Sequence, residues 1–170
     1  EKKIERIFKL KKPKILFSMG TLEERIRDIE KISFNLISDF DHKLLTQTDK
    51  DFISFSFNKN FWKTNERKFK WLNLILKPDV PFEDFIEYFN EKITFFSDAR
   101  SWIDSMHKYE LVFGMRIHSV VAAILGHTLG VCIKFDSRTE ELCDTMGYPS
   151  IGKEHVKEGL DFNEFLSKIT

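Results

Sequence analysis

The chain has only two cysteines, Cys132 and Cys143, too few for a disulfide framework, and it holds no C-x-x-C or H-E-x-x-H spacing that would bind a metal. No apolar run approaches the roughly 18–20 residues that a bilayer span requires. Glu1 to Leu10 lacks the long apolar core of a signal peptide, and no asparagine stands in an N-x-S/T acceptor triplet. Net charge is absent as well. The 27 Lys and Arg balance 27 Asp and Glu, which leaves no basic footprint for a general nucleic-acid binder. No internal repeat or low-complexity tract is present. These absences describe a reduced, cytoplasmic-type protein with no metal centre.

What remains is the composition of one globular domain: 170 residues, 42% apolar and 32% charged. Eighteen phenylalanines against three alanines and six valines predict a bulky core. Residues 1–14 carry seven Lys/Arg against two Glu, while residues 139–170 carry seven acids against three lysines. The N-terminus therefore reads as a basic arm and the C-terminal end as acidic, a pattern that solvation explains more simply than function.

Periodicity divides the chain. Lys14–Ser18 reads as a strand, Met19-Gly20 as a turn, and Thr21–Glu24 as a capping box opening a helix over about 21–38. A strand over 43–47 completes a βαβ unit. Residues 49–80, rich in Phe, Trp, Lys and Asn, show mixed periodicity and read as an irregular or inserted segment. Helices follow at 82–91 and 98–108, with strands at 93–96 and at 110–113, the latter closed by Gly114. A helix over 115–126 carries one apolar stripe, and a strand covers 130–135. Ser137–Glu140 reads as a second capping box, opening a helix to about Met146, and a last helix covers 160–169. This alternation predicts a single α/β domain over 1–170, a Rossmann-like, mostly parallel sheet with helices on both faces. Ligands of such sheets bind beyond the carboxyl ends of the strands, where strand order reverses. The candidate ends are 19–21, 114–118 and 135–138.

The segment Glu110–Ser119, ELVFGMRIHS, carries the most chemistry. Gly114 permits a tight turn and close approach to the backbone. Arg116 and His118 follow at the start of a helix, whose free N–H groups favour an anion. On a regular helix they diverge by about 200°, so they converge only if Arg116 belongs to the loop and His118 to the first turn. An anion cradle and a plain surface cation fit Arg116 equally on this basis.

Residues Ser97 to Ile151 resemble the C-terminal part of the polysaccharide pyruvyl transferase family. There a strand of the form "dlviG" leads into an R-x-H-S motif, followed by a strand, an aromatic-Asp pair, a basic residue and an "elG-P" stretch. The counterparts here are ELVFGMRIHS, VCIKFDSR and ELCDTMGYP, and KILFSMG resembles the preceding βαβ unit. The resemblance implies transfer of a pyruvyl group from phosphoenolpyruvate to a sugar hydroxyl of a surface polysaccharide or its precursor. It implies a fold similar to the C-terminal half of a two-domain GT-B-like enzyme, so that this chain supplies the donor-binding half and an N-terminal domain the opposite wall. The isolated chain is then expected to be inactive. Arg116 and His118 become the catalytic pair, with Gly114, Ser119, Arg138 and Gly20 completing the substrate site. Arg138 stands where the family commonly has Lys. No cofactor beyond the donor substrate is implied. The acceptor is a carbohydrate, free or lipid-linked, and the setting cytoplasmic or peripheral to the inner face of the membrane.

Two other readings stand beside this one: a GT-B-like glycosyltransferase using a nucleotide sugar, and a non-catalytic assembly module. Asp136 either orients Arg138 or caps the following helix, capping being favoured. His42, His107, His127 and His155 read as surface residues, and Cys132 and Cys143 as core thiols.

Overall fold

KILFS and LVFG each carry three consecutive apolar residues rather than an alternating pattern, as strands buried on both faces do. In the computed structural model, which describes residues 2–170, they are two central strands of a six-stranded, all-parallel sheet. The strands are β1 (Lys14–Ser18), β2 (Asp41–Leu45), β3 (Ile93–Thr94), β4 (Leu111–Gly114), β5 (Leu129–Lys134) and β6 (Ser150–Gly152), in the order β3-β2-β1-β4-β5-β6. The order reverses between β1 and β4, where Ser18 pairs with Gly114. The chain thus has a Rossmann-like α/β fold with its switch point at these two strand ends.

Alternate strand residues serve opposite faces. Ile15, Phe17, Leu111, Phe113 and Val131 join the larger core, built with α2 (Arg27–Ile37), α3 (Lys50–Phe57), α4 (Glu66–Leu76), α5 (Phe82–Lys92) and α9 (Phe162–Ser167). Leu16, Leu45, Val112 and Cys132 face α6 (Ala99–Ser105), α7 (Ile117–Leu125) and α8 (Ser137–Met146). The basic arm is in fact a short helix, α1 (Lys2–Phe8), that buries Ile7 in the larger core.

Residues 49–80 are not irregular. Asp49 caps α3 by accepting the N–H groups of Asp51 and Phe52, and its carboxylate also pairs with Lys68 of α4 at 2.7 Å. Phe52, Phe55 and Phe69 are fully buried against Phe85 and Phe89 of α5, with the Phe55 and Phe89 rings stacked 5.4 Å apart. The segment is thus part of the main core, the cluster in which most of the buried phenylalanines of the chain are gathered.

The helix after β1 starts at Arg27, not Thr21. Thr21 makes no cap; its hydroxyl bonds the Glu23 carboxylate, and Leu22 adopts a left-handed φ of 55°. The second box is real but shifted by one residue: Asp136 is the cap, exchanging bonds with Thr139. The Thr139 N–H holds the Asp136 carboxyl below its usual range, helped by the charges of Arg25 and Arg138. Asp136→Ala is expected to cost about 1 kcal/mol, read by urea unfolding; an unchanged midpoint would deny the cap its role. His42 is buried, contrary to its surface reading, because both ring nitrogens have partners: the Phe40 carbonyl at 2.8 Å and the Tyr88 hydroxyl at 2.6 Å.

Candidate functional site at the strand-order reversal

β4 ends in Gly114, whose φ of 154° and lack of a side chain let it lie against Ser18. A Cβ there would meet the Ser18 carbonyl oxygen and sit 2.9 Å from the Ser18 Cβ. The close fit of β1 on β4 therefore depends on glycine. Two residues later Arg116 is the N-cap residue of α7, in extended conformation, and its side chain does not cap the helix. The N–H groups of Ile117 and His118, in the first helical turn, have no intrahelical partner.

The half-buried Arg116 side chain leans toward the end of β2, where its guanidinium donates to the Thr48 hydroxyl at 3.3 Å. His118 is exposed in the first turn of α7. Arg116 thus belongs to the loop and His118 to the helix, as convergence requires, although the two share no hydrogen bond among the described residues. Ser119 is buried, and its hydroxyl donates back to the Arg116 carbonyl at 2.6 Å, so it shapes the turn rather than presenting a donor. Arg138 is exposed on α8, at the end of β5. The cleft of about 310 Å³ at the ends of β5 and β6, lined by Lys134, Phe135, Lys153 and Lys168 among others, does not include Arg116, His118 or Arg138.

Gly20 is placed differently from the expectation. Its N–H donates to the carboxylate of Glu30 from α2, and the other oxygen of that carboxylate accepts from Leu22 N–H at 2.7 Å. A buried acid of this chain thus occupies the donors of the β1 turn. Burial pushes the Glu30 carboxyl up to about 7; the two N–H bonds and the charge of Arg116 pull it down, and Glu23 adds a smaller upward push.

Sequence reasoning missed Glu30, although a signal exists: it falls four residues after Ile26 and four before Phe34, an acid on the apolar stripe of its helix. Arg25 was missed too. It lies 5.9 Å from the centre of the Phe135 ring, linking the β1 turn to the end of β5. Pattern alone makes Ser18 a strand residue. Its hydroxyl is fully buried beside Gly114 and lacks a hydrogen-bond partner among the described residues.

Among the described residues, no cluster of three His, Cys, Asp or Glu is placed to hold a metal, and no helix is long and apolar enough to cross a membrane. Fold and geometry together define a doubly wound α/β protein with a cation and an uncapped helix N-terminus at its switch point. Compared with known family profiles, curated proteins and solved structures, the chain matches none.

Proposed function

We propose that this chain binds phosphoenolpyruvate at the carboxyl edge between β1 and β4, as the donor-binding half of an enzyme that transfers pyruvyl groups to sugar hydroxyls. The observation that carries the reading is Arg116, half-buried at the switch point and ahead of free helix N–H groups. A guanidinium and backbone donors suit a ligand with both a carboxylate and a phosphate. The G-M-R-I-H-S motif resemblance supplies the particular chemistry.

In that chemistry a sugar hydroxyl adds across the C2–C3 double bond of the donor: its oxygen bonds C2, C3 takes a proton as the π bond opens, and the hydroxyl proton is released to solvent. A second hydroxyl of the same sugar then displaces phosphate from C2, closing a cyclic ketal. Arg116 holds the donor's anionic groups, and exposed His118 delivers the C3 proton or binds the phosphate as it departs. Gly114 keeps the strand end low enough for the donor to approach the backbone, and Arg138, one strand over, is a second cation for phosphate.

Saturation-transfer NMR with phosphoenolpyruvate and, separately, UDP-sugars tests the reading. Phosphoenolpyruvate is expected to bind, and Arg116→Ala to weaken it about 10–100-fold, the worth of a charge-assisted hydrogen-bond pair. Preferential binding of the UDP-sugar would overturn the donor assignment in favour of a glycosyltransferase. A full-length protein that still modifies polysaccharide with Arg116→Ala would point to a non-catalytic module.

A further inference from the structure

The first turn of a doubly wound sheet is where this architecture commonly receives a ligand's anionic group, on backbone N–H donors. Here that turn is built as a receptor and already holds a carboxyl group of the chain itself. The Gly20 and Leu22 N–H groups each take one oxygen of the Glu30 carboxylate, a two-pronged grip matched to the width of a carboxylate. Gly20 has no side chain because the Glu30 carboxyl occupies the space, with one oxygen 2.7 Å from where a Cβ would stand. Leu22 bends into a left-handed conformation that leucine disfavours, which aims its N–H at the same group.

No cation pairs with the occupant among the described residues. Glu30 is about 1% exposed yet has no ion-pair partner within 4 Å among the described residues; Arg116 acts on it only through the field. A buried carboxylate without a paired cation is a costly resident. A second polar group lies one helical turn along. Ser33, three residues along the same helix face, is 1% exposed and its hydroxyl has no partner among the described residues. The segment between the core residues Leu22 and Ile26, Glu23 to Arg25, is exposed.

We propose that the β1 turn is a carboxylate-binding cradle, filled by Glu30 in the free protein and taken over by the carboxylate of a small-molecule ligand, with Glu30 swinging toward Ser33. The cradle stands on its own geometry. Only its assignment to the carboxylate of phosphoenolpyruvate rests on the reading above, and there it places the donor's carboxylate at Gly20 and Leu22 and its phosphate toward Arg116 and α7.

The test follows the Gly20 and Leu22 amide resonances by ¹⁵N NMR in the wild type and in Glu30→Ala, titrated with sodium acetate, sodium phosphate and sodium chloride at constant ionic strength. With the competitor removed, acetate is expected to saturate both amides in Glu30→Ala and raise its melting temperature. It is expected to move the same amides in the wild type with at least tenfold weaker affinity; chloride moves neither. Wild-type amides unmoved by acetate, or a Glu30→Ala protein that takes up none, would overturn the proposal, and so would phosphate binding in preference to acetate. Should Glu30→Ala fold only in acetate, that rescue supports the cradle; should it not fold at all, Glu30→Gln is read at the same amides. Failure of phosphoenolpyruvate to bind, with acetate still seated, would remove the donor reading and leave the cradle standing.

Discussion

Replacing Gly114 with alanine is expected to destabilise the chain by roughly 3–5 kcal/mol, combining backbone strain with overpacking. Both costs are visible at this position. The φ of 154° is a conformation that side-chain-bearing residues rarely adopt, and the added Cβ runs into the Ser18 carbonyl, which is backbone in the neighbouring strand and cannot rotate away. For a domain of this size such a loss lowers Tm by roughly 6–20 °C. Gly147→Ala is the control that separates the two costs. Gly147 also has a positive φ, 64°, but nothing lies within 4 Å of its missing Cβ, so only the conformational part, about 1–2 kcal/mol, remains. Thermal and urea unfolding of both variants decide the matter. Equal losses would mean that the close approach of β1 and β4 contributes nothing. Because Arg116 lies two residues beyond Gly114, the Gly114 variant should also bind phosphoenolpyruvate more weakly even where it remains folded, if the proposed donor site holds.

Much of this architecture was legible because parallel strands advertise themselves. KILFS and LVFG each carry three consecutive apolar residues, and the helices between them carry clear stripes. The shortest elements are less legible. β6 is three residues, Ser150–Gly152, too few to show any period, whereas β3 is found where a strand over 93–96 is expected but keeps only Ile93–Thr94. Residues 49–80 misled because α3 is a short helix whose core face is two phenylalanines, Phe52 and Phe55, with Ile53 and Ser54 between them, a run that shows no clear period. Its stability comes from Asp49 and the partner Lys68, nineteen residues away, which local pattern cannot register. The failed capping box at Thr21 has the same origin. Glu30 takes up the Gly20 and Leu22 N–H groups from ten and eight residues away, drawing the segment into a loop before the helix begins. At the site, the local part was readable: Gly114, Arg116 and His118 lie in one decapeptide. The part made by distant contact, Glu30 beneath the β1 turn, Thr48 under the Arg116 guanidinium and Arg25 over Phe135, was not.

The pH dependence of stability should carry the signature of Glu30. Burial raises this carboxyl from 4.5 to about 7, so between those values the folded chain holds a proton that the unfolded chain has released. Stability therefore falls as pH rises through this window: the contribution is fully present below about pH 4.5 and lost above about pH 7. A difference of that size corresponds to about 3 kcal/mol. Glu30→Gln cannot titrate, and its amide can accept one of the two N–H groups but not both. It is therefore expected to be less stable than the wild type at pH 5, with the gap narrowing by about 3 kcal/mol by pH 8, where the wild type must bury a charge. Urea unfolding of both proteins at pH 5, 6, 7 and 8 gives the difference directly, and other titrating groups cancel because they are common to the pair. A gap that stays constant over the range would mean that Glu30 titrates at its ordinary value, with the Gly20 and Leu22 donors and the field of Arg116 fully offsetting its burial. The same measurement bears on the site. If the carboxylate gains its proton near neutrality, it then needs the two N–H groups less, and the β1 turn becomes easier for an incoming carboxylate to occupy as pH falls toward 6.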